Sequence, residues 1–218
     1  MELNGLKINF LGDSITEGSG TTGKEKIYWS LIGKKTGAIV RGYGVGGTRF
    51  AKQITPSVNP KHDLDFIMRA KEMDRDADMI VVFGGTNDFG HGDAPIGKMS
   101  DRENNTFYGA CHMLFTDLIN MYPEATIVIM TPLHRCNEDN VRGDGFKSCD
   151  VAPLSRYVEI IKEVAAFYSL PVIDMWSISG IQPRVPVLKE KYCPDGLHPN
   201  DAGHEKMAER LIGFLKSL

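Results

Sequence analysis

Five short apolar runs, spread along the whole chain, constrain the fold more than any other feature of this sequence. They are rich in β-branched residues and end at Gly, Pro or Asp, which is typical of strands that are buried on both faces of a parallel sheet. The runs predict strands at 6–12, 38–45, 77–85, 125–132 and 170–175.

Segments with helical periodicity lie between and after these runs. Apolar residues recur at helical spacing over 107–122 and 154–168, and Asn200 is a suitable N-cap for a last helix at 200–217. Such alternation predicts βαβ units with right-handed crossovers, and hence an α/β fold with an open, doubly wound parallel sheet. At 218 residues, with no repeat or linker, the chain is expected to form a single domain over residues 1–218.

Charge and hydropathy exclude several kinds of partner. Lys plus Arg total 25 and Asp plus Glu total 28, with no basic stretch, so we expect no nucleic acid and no membrane partner. The first residues lack a signal peptide pattern, and the apolar runs are too short to span a bilayer. These features predict a cytoplasmic location. The sequence does not determine the oligomeric state.

The four cysteines, Cys111, Cys136, Cys149 and Cys193, show no CxxC spacing. Neither a zinc cluster nor a redox pair is indicated, so free thiols are expected. A disulfide between Cys136 and Cys149 is the alternative for an oxidising compartment.

Polar and glycine-rich clusters follow the predicted strands. "GDS" (12–14), "GVGGT" (44–48) and "GGTND" (84–88) follow the first three strands, and "DGLHPN" (195–200) precedes the last helix. Two long irregular stretches, at 90–104 and 134–150, also follow strand ends. Because open parallel sheets bind ligands beyond the carboxyl ends of their strands, we expect these segments to surround one crevice.

The residues of these clusters suit acyl transfer. Ser14 can act as a nucleophile if His198 removes its proton, and Asp195 can orient that histidine. Backbone N–H groups near Ser14 and at Gly46 and Gly47 can stabilise an oxyanion, together with the Asn87 amide. Each signal alone favours a turn or capping residue. Their coincidence at one edge of the sheet favours catalysis.

The blocks "FLGDSITEG" (10–18), "YGVGGTR" (43–49), "GGTND" (84–88) and "DGLHPNDAGH" (195–204) resemble, in order and spacing, those of the SGNH hydrolases, also called GDSL esterases and lipases. The resemblance covers essentially the whole chain. It implies a three-layer α/β/α sandwich with a five-stranded parallel sheet, the flavodoxin-like SGNH hydrolase fold. It also implies hydrolysis of esters, often short acyl esters of carbohydrates, lysophospholipids, thioesters or aryl esters.

Matching positions in the blocks assign roles by resemblance. Ser14 is the nucleophile and one oxyanion donor, and Asp195 with His198 completes the triad. Gly47 supplies a second N–H donor, with Gly46 as the alternative, and Asn87 supplies a side-chain donor.

The chain departs from the family pattern in the second block. Many members have Asn at Gly42, and others have Ser at Gly46. These differences leave open how the oxyanion loop is braced.

Three further residues are candidates for binding or support. Asp13 is expected to hold the nucleophile turn through local hydrogen bonds. Arg49 either meets a polar or anionic substrate group or pairs with an acid, and His134 is a candidate substrate contact. Trp29, Phe89, Trp176 and Tyr192 form either a substrate platform or part of the core.

The function predicted from these features is that of a serine esterase that needs no cofactor and no metal. It would hydrolyse small O-acyl esters, acetyl esters of carbohydrates among them, through an acyl-enzyme on Ser14. A lysophospholipase or thioesterase of the same superfamily is the nearest alternative. A metal-dependent phosphoesterase with Asp13, Asn87 and His198 as ligands, and a non-catalytic carbohydrate-binding protein, are alternatives from other classes.

Overall fold

A computed structural model describes residues 1–145, 147–149 and 151–218 of the protein. Within these ranges, five strands form one sheet in the order β2-β1-β3-β4-β5, and every neighbouring pair is parallel. The strands are Lys7–Gly12 (β1), Ile39–Gly44 (β2), Met79–Phe83 (β3), Thr126–Met130 (β4) and Val172–Ile173 (β5).

Nine α-helices connect and follow these strands in the described part of the chain. They are Ser14–Glu17 (α1), Tyr28–Thr36 (α2), Phe66–Ala70 (α3), Thr86–Gly90 (α4), Phe107–Met121 (α5), Leu154–Phe167 (α6), Met175–Ile178 (α7), Pro186–Tyr192 (α8) and Asp201–Ser217 (α9). Short 3-10 helices occupy Lys24–Lys26 and Pro60–Asp63. None of the described helices has the length and hydropathy needed to cross a membrane.

Both faces of the sheet are covered, because successive strand residues point to opposite sides. On one face, Leu11 and Val82 belong to a buried cluster with Phe115 of α5. On the other face, Phe10 is buried in a cluster that includes Leu211 of α9. The three layers are therefore helices, sheet and helices, and the predicted α/β/α sandwich with a five-stranded parallel sheet is confirmed.

The strand order places a crevice between β1 and β3. The connection that leaves β1 leads to β2 on one side, whereas the connection that leaves β3 leads to β4 on the other side. Parallel sheets bind ligands at such a switch point. Gly12 ends β1 level with Gly44 of β2 and Phe83 of β3, so the three polar clusters that follow them begin at the same height.

Two strands differ from the prediction of strands buried on both faces. β2 is an edge strand, and its Ile39 is 49% exposed. β5, the other edge strand, has two residues instead of the six predicted. An edge strand has a neighbour on one side only, so fewer backbone pairs hold it in the sheet.

The predicted long helices agree with α5, α6 and α9 to within one residue at each end. Asn200 caps α9 as predicted, since its Oδ1 accepts a hydrogen bond from the N–H of Gly203 at 3.0 Å. Helix α2, which buries Leu31 and Ile32, has no counterpart among the helices predicted from the sequence.

Candidate active site

Ser14 stands at the first position of α1, directly after β1. The turn is held by Asp13, whose Oδ1 accepts a hydrogen bond from the N–H of Ile15 at 3.0 Å. Gly18 ends this one-turn helix with a φ of 110°, a conformation that favours glycine. The structure therefore gives Asp13 the local supporting contact expected from the sequence. Burial raises the pKa of Asp13 to about 6, although the Ile15 N–H and the nearby His198 and Arg69 oppose that shift.

Ser14, His198 and Asp195 form a continuous hydrogen-bonded chain across the crevice. Ser14 Oγ lies 3.0 Å from His198 Nε2, and His198 Nδ1 lies 2.7 Å from Asp195 Oδ2. The other carboxylate oxygen of Asp195 accepts the N–H groups of Leu197 at 2.8 Å and His198 at 2.7 Å. The nucleophile, base and orienting carboxylate named from the sequence are thus brought together.

The ionisation of Asp195 determines which nitrogen of His198 carries a hydrogen. Partial burial pushes its pKa upward, but hydrogen bonds from the backbone and ring of His198 and from the Leu197 N–H outweigh that effect, so the pKa lies below its usual range. An ionised carboxylate only accepts hydrogen bonds, so His198 Nδ1 carries a hydrogen. His198 Nε2 then accepts a hydrogen bond from the Ser14 hydroxyl.

Gly46 and Gly47 differ in the use of their N–H groups. The N–H of Gly46 donates to Glu17 Oε2 at 2.9 Å. Gly47 has a φ of 75°, and among the described residues its N–H has no acceptor. The same holds for the N–H of Ser14 within the described ranges. Of the two glycines left open by the sequence, Gly47 is the one whose donor remains free for a ligand.

Asn87 lies in the first turn of α4, after Gly85 bends the chain with a φ of 102°. Its side chain is 6% exposed, and Nδ2 donates one hydrogen to the carbonyl of Thr48 at 3.0 Å. A primary amide carries two hydrogens, so one remains for a ligand. This contact also ties α4 to the loop that contains Gly47.

Arg69 of α3 braces the ends of the first two strands, and the sequence analysis missed it. Its guanidinium donates to Thr48 Oγ1 at 2.7 Å, to the Gly12 carbonyl at 2.8 Å and to the Tyr43 carbonyl. Burial lowers the pKa of Arg69 to about 10, so the group stays charged at neutral pH. No local pattern marks this role, because the three acceptors come from distant segments.

The family departures at Gly42 and Gly46 have a structural explanation. A Cβ at Gly42 would lie 2.4 Å from the Trp29 ring, so the ring occupies the space of a side chain. A Cβ at Gly46 would lie 2.8 Å from Glu17 Oε2. Bracing of the loop that contains Gly46 and Gly47 therefore comes from Glu17, Arg69 and Asn87.

Arg49 follows the second of its two predicted alternatives. Its side chain is 2% exposed, and Nη2 pairs with Asp63 Oδ1 at 2.9 Å. The guanidinium is covered, and a contact between Arg49 and a substrate group stays a prediction. Nη1 lies 2.8 Å from His91 Nδ1. Burial lowers the pKa of His91 to about 4, helped by the charge of Arg49, so His91 is neutral at pH 7.

Of the other residues predicted as substrate contacts, some lie in the core and some beside the crevice. Phe89 is fully buried, which makes it a core residue. The ring of His134 packs against Trp176, with 3.8 Å between the ring centroids. His134 also lines a small cavity with Asp13 and Leu197. All four cysteines are free, including Cys136 and Cys149.

The two long loops meet at a second, larger cavity. Residues 91–96 and 147–149, together with Gln53, Thr55 and Val151, line a space of about 660 Å³. Small-molecule sites are commonly of this size. Phe146 and Asp150, which belong to the stretch 134–150, lie outside the described residues. The expectation that both loops line the substrate site stays a prediction.

The buried carboxylate of Asp88 makes the stability of the fold depend on pH. Its carboxylate accepts the N–H groups of Phe50 and Ala51 at 3.0 and 2.9 Å. Burial outweighs these contacts and the nearby Arg49 and Lys147, raising the pKa of Asp88 from 3.8 to about 6. Because the folded protein holds this proton more tightly than the unfolded chain, the raised pKa stabilises the fold fully below pH 3.8. This stability is lost as the pH rises through 6, where Asp88 ionises in the folded protein.

We therefore expect Asp88→Asn to remove that loss. Between pH 4 and pH 7, the free energy of unfolding of the variant should rise by about 2 kcal/mol relative to wild type. Urea denaturation at both pH values measures the difference, with the exposed Asp139→Asn as the matched control. A difference that does not change with pH would contradict the proposed cost of ionising Asp88.

Solved structures support the fold across nearly the whole chain. A protein of known structure from Lactobacillus plantarum is 28% identical, with 98% of each chain covered and a TM-score of 0.83. A carbohydrate acetylesterase family member from Sinorhizobium meliloti is 18% identical over 97% of this chain and 98% of its own, with a TM-score of 0.66. The second likeness concerns the fold alone.

Sequence comparison identifies the family. GDSL lipase Rv0518 of Mycobacterium tuberculosis (strain ATCC 25618 / H37Rv) is 25% identical over 153 residues, which cover 68% of this chain and 54% of that protein. The match thus spans about half the length of that relative. The model of the GDSL-like Lipase/Acylhydrolase family matches residues 10–206, a range that includes all four polar clusters around the crevice. With this match and the parallel-sheet fold, the chain belongs to the GDSL-like lipase/acylhydrolase family.

Proposed function

We propose that the protein is a serine hydrolase of carboxylic esters that forms an acyl-enzyme on Ser14. The observation that carries the proposal is the alignment of Ser14, His198 and Asp195. Ser14 Oγ lies within hydrogen-bonding distance of an imidazole nitrogen, and the opposite nitrogen is held by a carboxylate. This geometry is what nucleophilic catalysis by a serine requires.

Acylation follows from the proton arrangement in the site. His198 Nε2 takes the Ser14 proton as Oγ attacks the ester carbonyl, and Asp195 stabilises the imidazolium that forms. The oxyanion of the tetrahedral intermediate receives hydrogen bonds from the Ser14 N–H, the Gly47 N–H and the Asn87 amide. Collapse of the intermediate releases the alcohol, whose oxygen takes the proton from His198.

Deacylation uses the same groups in reverse. Water attacks the acyl carbon while His198 Nε2 accepts its proton, and the Ser14 oxygen regains a proton when the second intermediate collapses. The overall reaction converts an ester and water to a carboxylic acid and an alcohol. Each step uses groups of this chain and water alone.

We propose small O-acyl esters, and acetyl esters of carbohydrates in particular, as the substrates. A carbohydrate acetylesterase family member has the same fold, so this substrate class is one that such a fold can serve. The packing of His134 against Trp176 beside the crevice also supports it, because aromatic and polar groups together suit a sugar.

A panel of substrates tests the proposal. We expect hydrolysis of 4-nitrophenyl acetate and of acetylated methyl glucoside, with kcat/KM falling by at least tenfold as the 4-nitrophenyl ester lengthens from acetate to octanoate. Excess chelator should leave these rates unchanged. Preference for the octanoate or a lysophospholipid would favour a lysophospholipase instead. Chelator-sensitive hydrolysis of a phosphodiester, with no ester hydrolysis, would favour the phosphoesterase.

A further inference from the structure

A second pair of imidazole and carboxylate, His134 and Glu138, lies close to the proposed triad. Glu138 is 4% exposed. Its Oε2 accepts the N–H of Arg135 at 3.0 Å and lies 2.8 Å from His134 Nδ1. Its Oε1 accepts a hydrogen bond from Arg184 Nη1 at 3.4 Å. Buried charges with this many partners are held in one geometry.

Glu138 sets the proton arrangement of His134. Burial raises the pKa of Glu138, but the hydrogen bonds from His134 and from the Arg135 N–H outweigh it, so the pKa lies below its usual range. The ionised carboxylate accepts from Nδ1–H of His134, so Nε2 is the ring nitrogen that presents a lone pair when the ring is in its neutral form. Among the described residues, no donor contacts that nitrogen. The arrangement parallels the way Asp195 holds His198.

His134 lies near the part of the crevice where we expect the leaving alcohol. His134 lines a cavity of about 10 Å³ together with Asp13, which precedes Ser14, and Leu197, which precedes His198. That volume is close to the space that one water oxygen needs. Because His198 gives its proton to the leaving oxygen, the alcohol must lie on the His198 side of Ser14. Leu197 lines the same cavity and adjoins His198, and this shared wall is what relates His134 to the side from which the alcohol departs.

We infer that His134 is a specificity-determining residue, whose Nε2 accepts a hydrogen bond from a free hydroxyl of the alcohol part of the substrate. The inference rests on the proposed function and narrows it to monoacyl esters of diols, polyols and sugars. A site built to bind a substrate hydroxyl discriminates against an analogue that lacks it, because the polar group of the site is then left without a partner. Trp176 keeps the imidazole in place by packing against its face.

Two esters that differ in one group test this inference. 2-Hydroxyethyl acetate and propyl acetate have the same number of heavy atoms, and a hydroxyl in one replaces a methyl in the other. We expect wild type to hydrolyse the hydroxy ester with about tenfold higher kcat/KM, the size of one hydrogen bond, mainly through a lower KM. His134→Phe keeps a ring against Trp176 but removes the nitrogen, so the ratio of the two kcat/KM values should fall to about one.

Glu138→Gln provides a second variant. Its amide no longer enforces the hydrogen on His134 Nδ1, so the ratio should fall part of the way towards one. Glu159→Gln, an exposed carboxylate on α6, is the matched control and should keep the wild-type ratio. A structural role alone would lower both kcat/KM values together and leave their ratio unchanged.

The outcomes separate this inference from the proposed function. If wild type hydrolyses both esters at the same kcat/KM, or if His134→Phe keeps the preference, the inference is overturned and the esterase stands. If wild type hydrolyses neither these esters nor 4-nitrophenyl acetate, the proposed function itself fails.

Discussion

Ser14→Ala is expected to lower kcat for 4-nitrophenyl acetate by at least about 10⁴-fold, to the level left by substrate binding and the oxyanion donors. The substitution removes the attacking oxygen, which lies 3.0 Å from His198 Nε2, so no acyl-enzyme can form. Loss should appear in kcat, because the binding surfaces remain. Initial rates under saturating ester measure it.

Two related variants define the rest of the triad. His198→Ala should cause a loss as large as that of Ser14→Ala, and the double variant should be no worse than either single one, because the two residues act as a unit. Asp195→Asn should cost up to about 10⁴-fold, since an amide can donate to Nδ1 and so favour the wrong tautomer of His198. Ser100→Ala, at an exposed serine, is the control.

These results also discriminate between classes of enzyme. Ser14→Ala with turnover within tenfold of wild type, in a protein that unfolds at the wild-type urea concentration, would remove Ser14 from the mechanism. Chelator sensitivity in that same variant would favour the metal-dependent alternative. Covalent labelling of wild type, but not of Ser14→Ala, by a fluorophosphonate is the outcome expected for an activated serine.

Asn87→Ala is expected to lower kcat by about 10²- to 10³-fold, with a much smaller change in KM. The amide hydrogen not used by Thr48 is the donor proposed for the oxyanion, and such donors act mainly in the transition state. Asn87→Asp should lose at least as much, because a carboxylate places an acceptor where charge develops. Asn105→Ala, an exposed amide, is the control.

Asn87→Ala also removes the hydrogen bond from Asn87 Nδ2 to the Thr48 carbonyl. Its loss could shift the loop that contains Gly47, so stability must be measured with activity. We expect the binding of an alkyl boronic acid, which mimics the tetrahedral intermediate, to weaken in step with kcat/KM. A fall in kcat below about threefold would contradict the assignment of Asn87 as an oxyanion donor.

Much of the fold was predictable because burial leaves a local pattern. The runs that became β1, β3 and β4 are mostly apolar, since helices cover both faces of the sheet. Edge strands such as β5 were harder to delimit, because fewer neighbours hold their ends. The short helices α1 and α4 are single turns that follow Gly12 and Gly85, and they carry too few apolar residues for a periodic pattern.

Sequence blocks identified the residues of the proposed triad but not the residues that position them. Arg69 and Glu17 act through contacts with residues far along the chain. Glu138 contacts His134 and Arg135 nearby and Arg184 in a distant segment. Charged residues in helices and loops usually face solvent, so nothing in their local sequence distinguishes these three. Burial of the Arg69 guanidinium against two strand ends is visible only in the folded chain.

The sequence by itself determined the class of fold, the family and the set of side chains able to perform acyl transfer. Those properties depend on hydrophobic periodicity and short motifs, which are local. Only the tertiary structure decided which groups are free to act. It paired the Gly46 N–H with Glu17 and gave the Gly47 N–H no acceptor among the described residues. It also buried Arg49 against Asp63 and placed His134 beside the crevice. Hydrogen-bond partners and burial arise when distant segments pack together, so they cannot be read from any one stretch of residues.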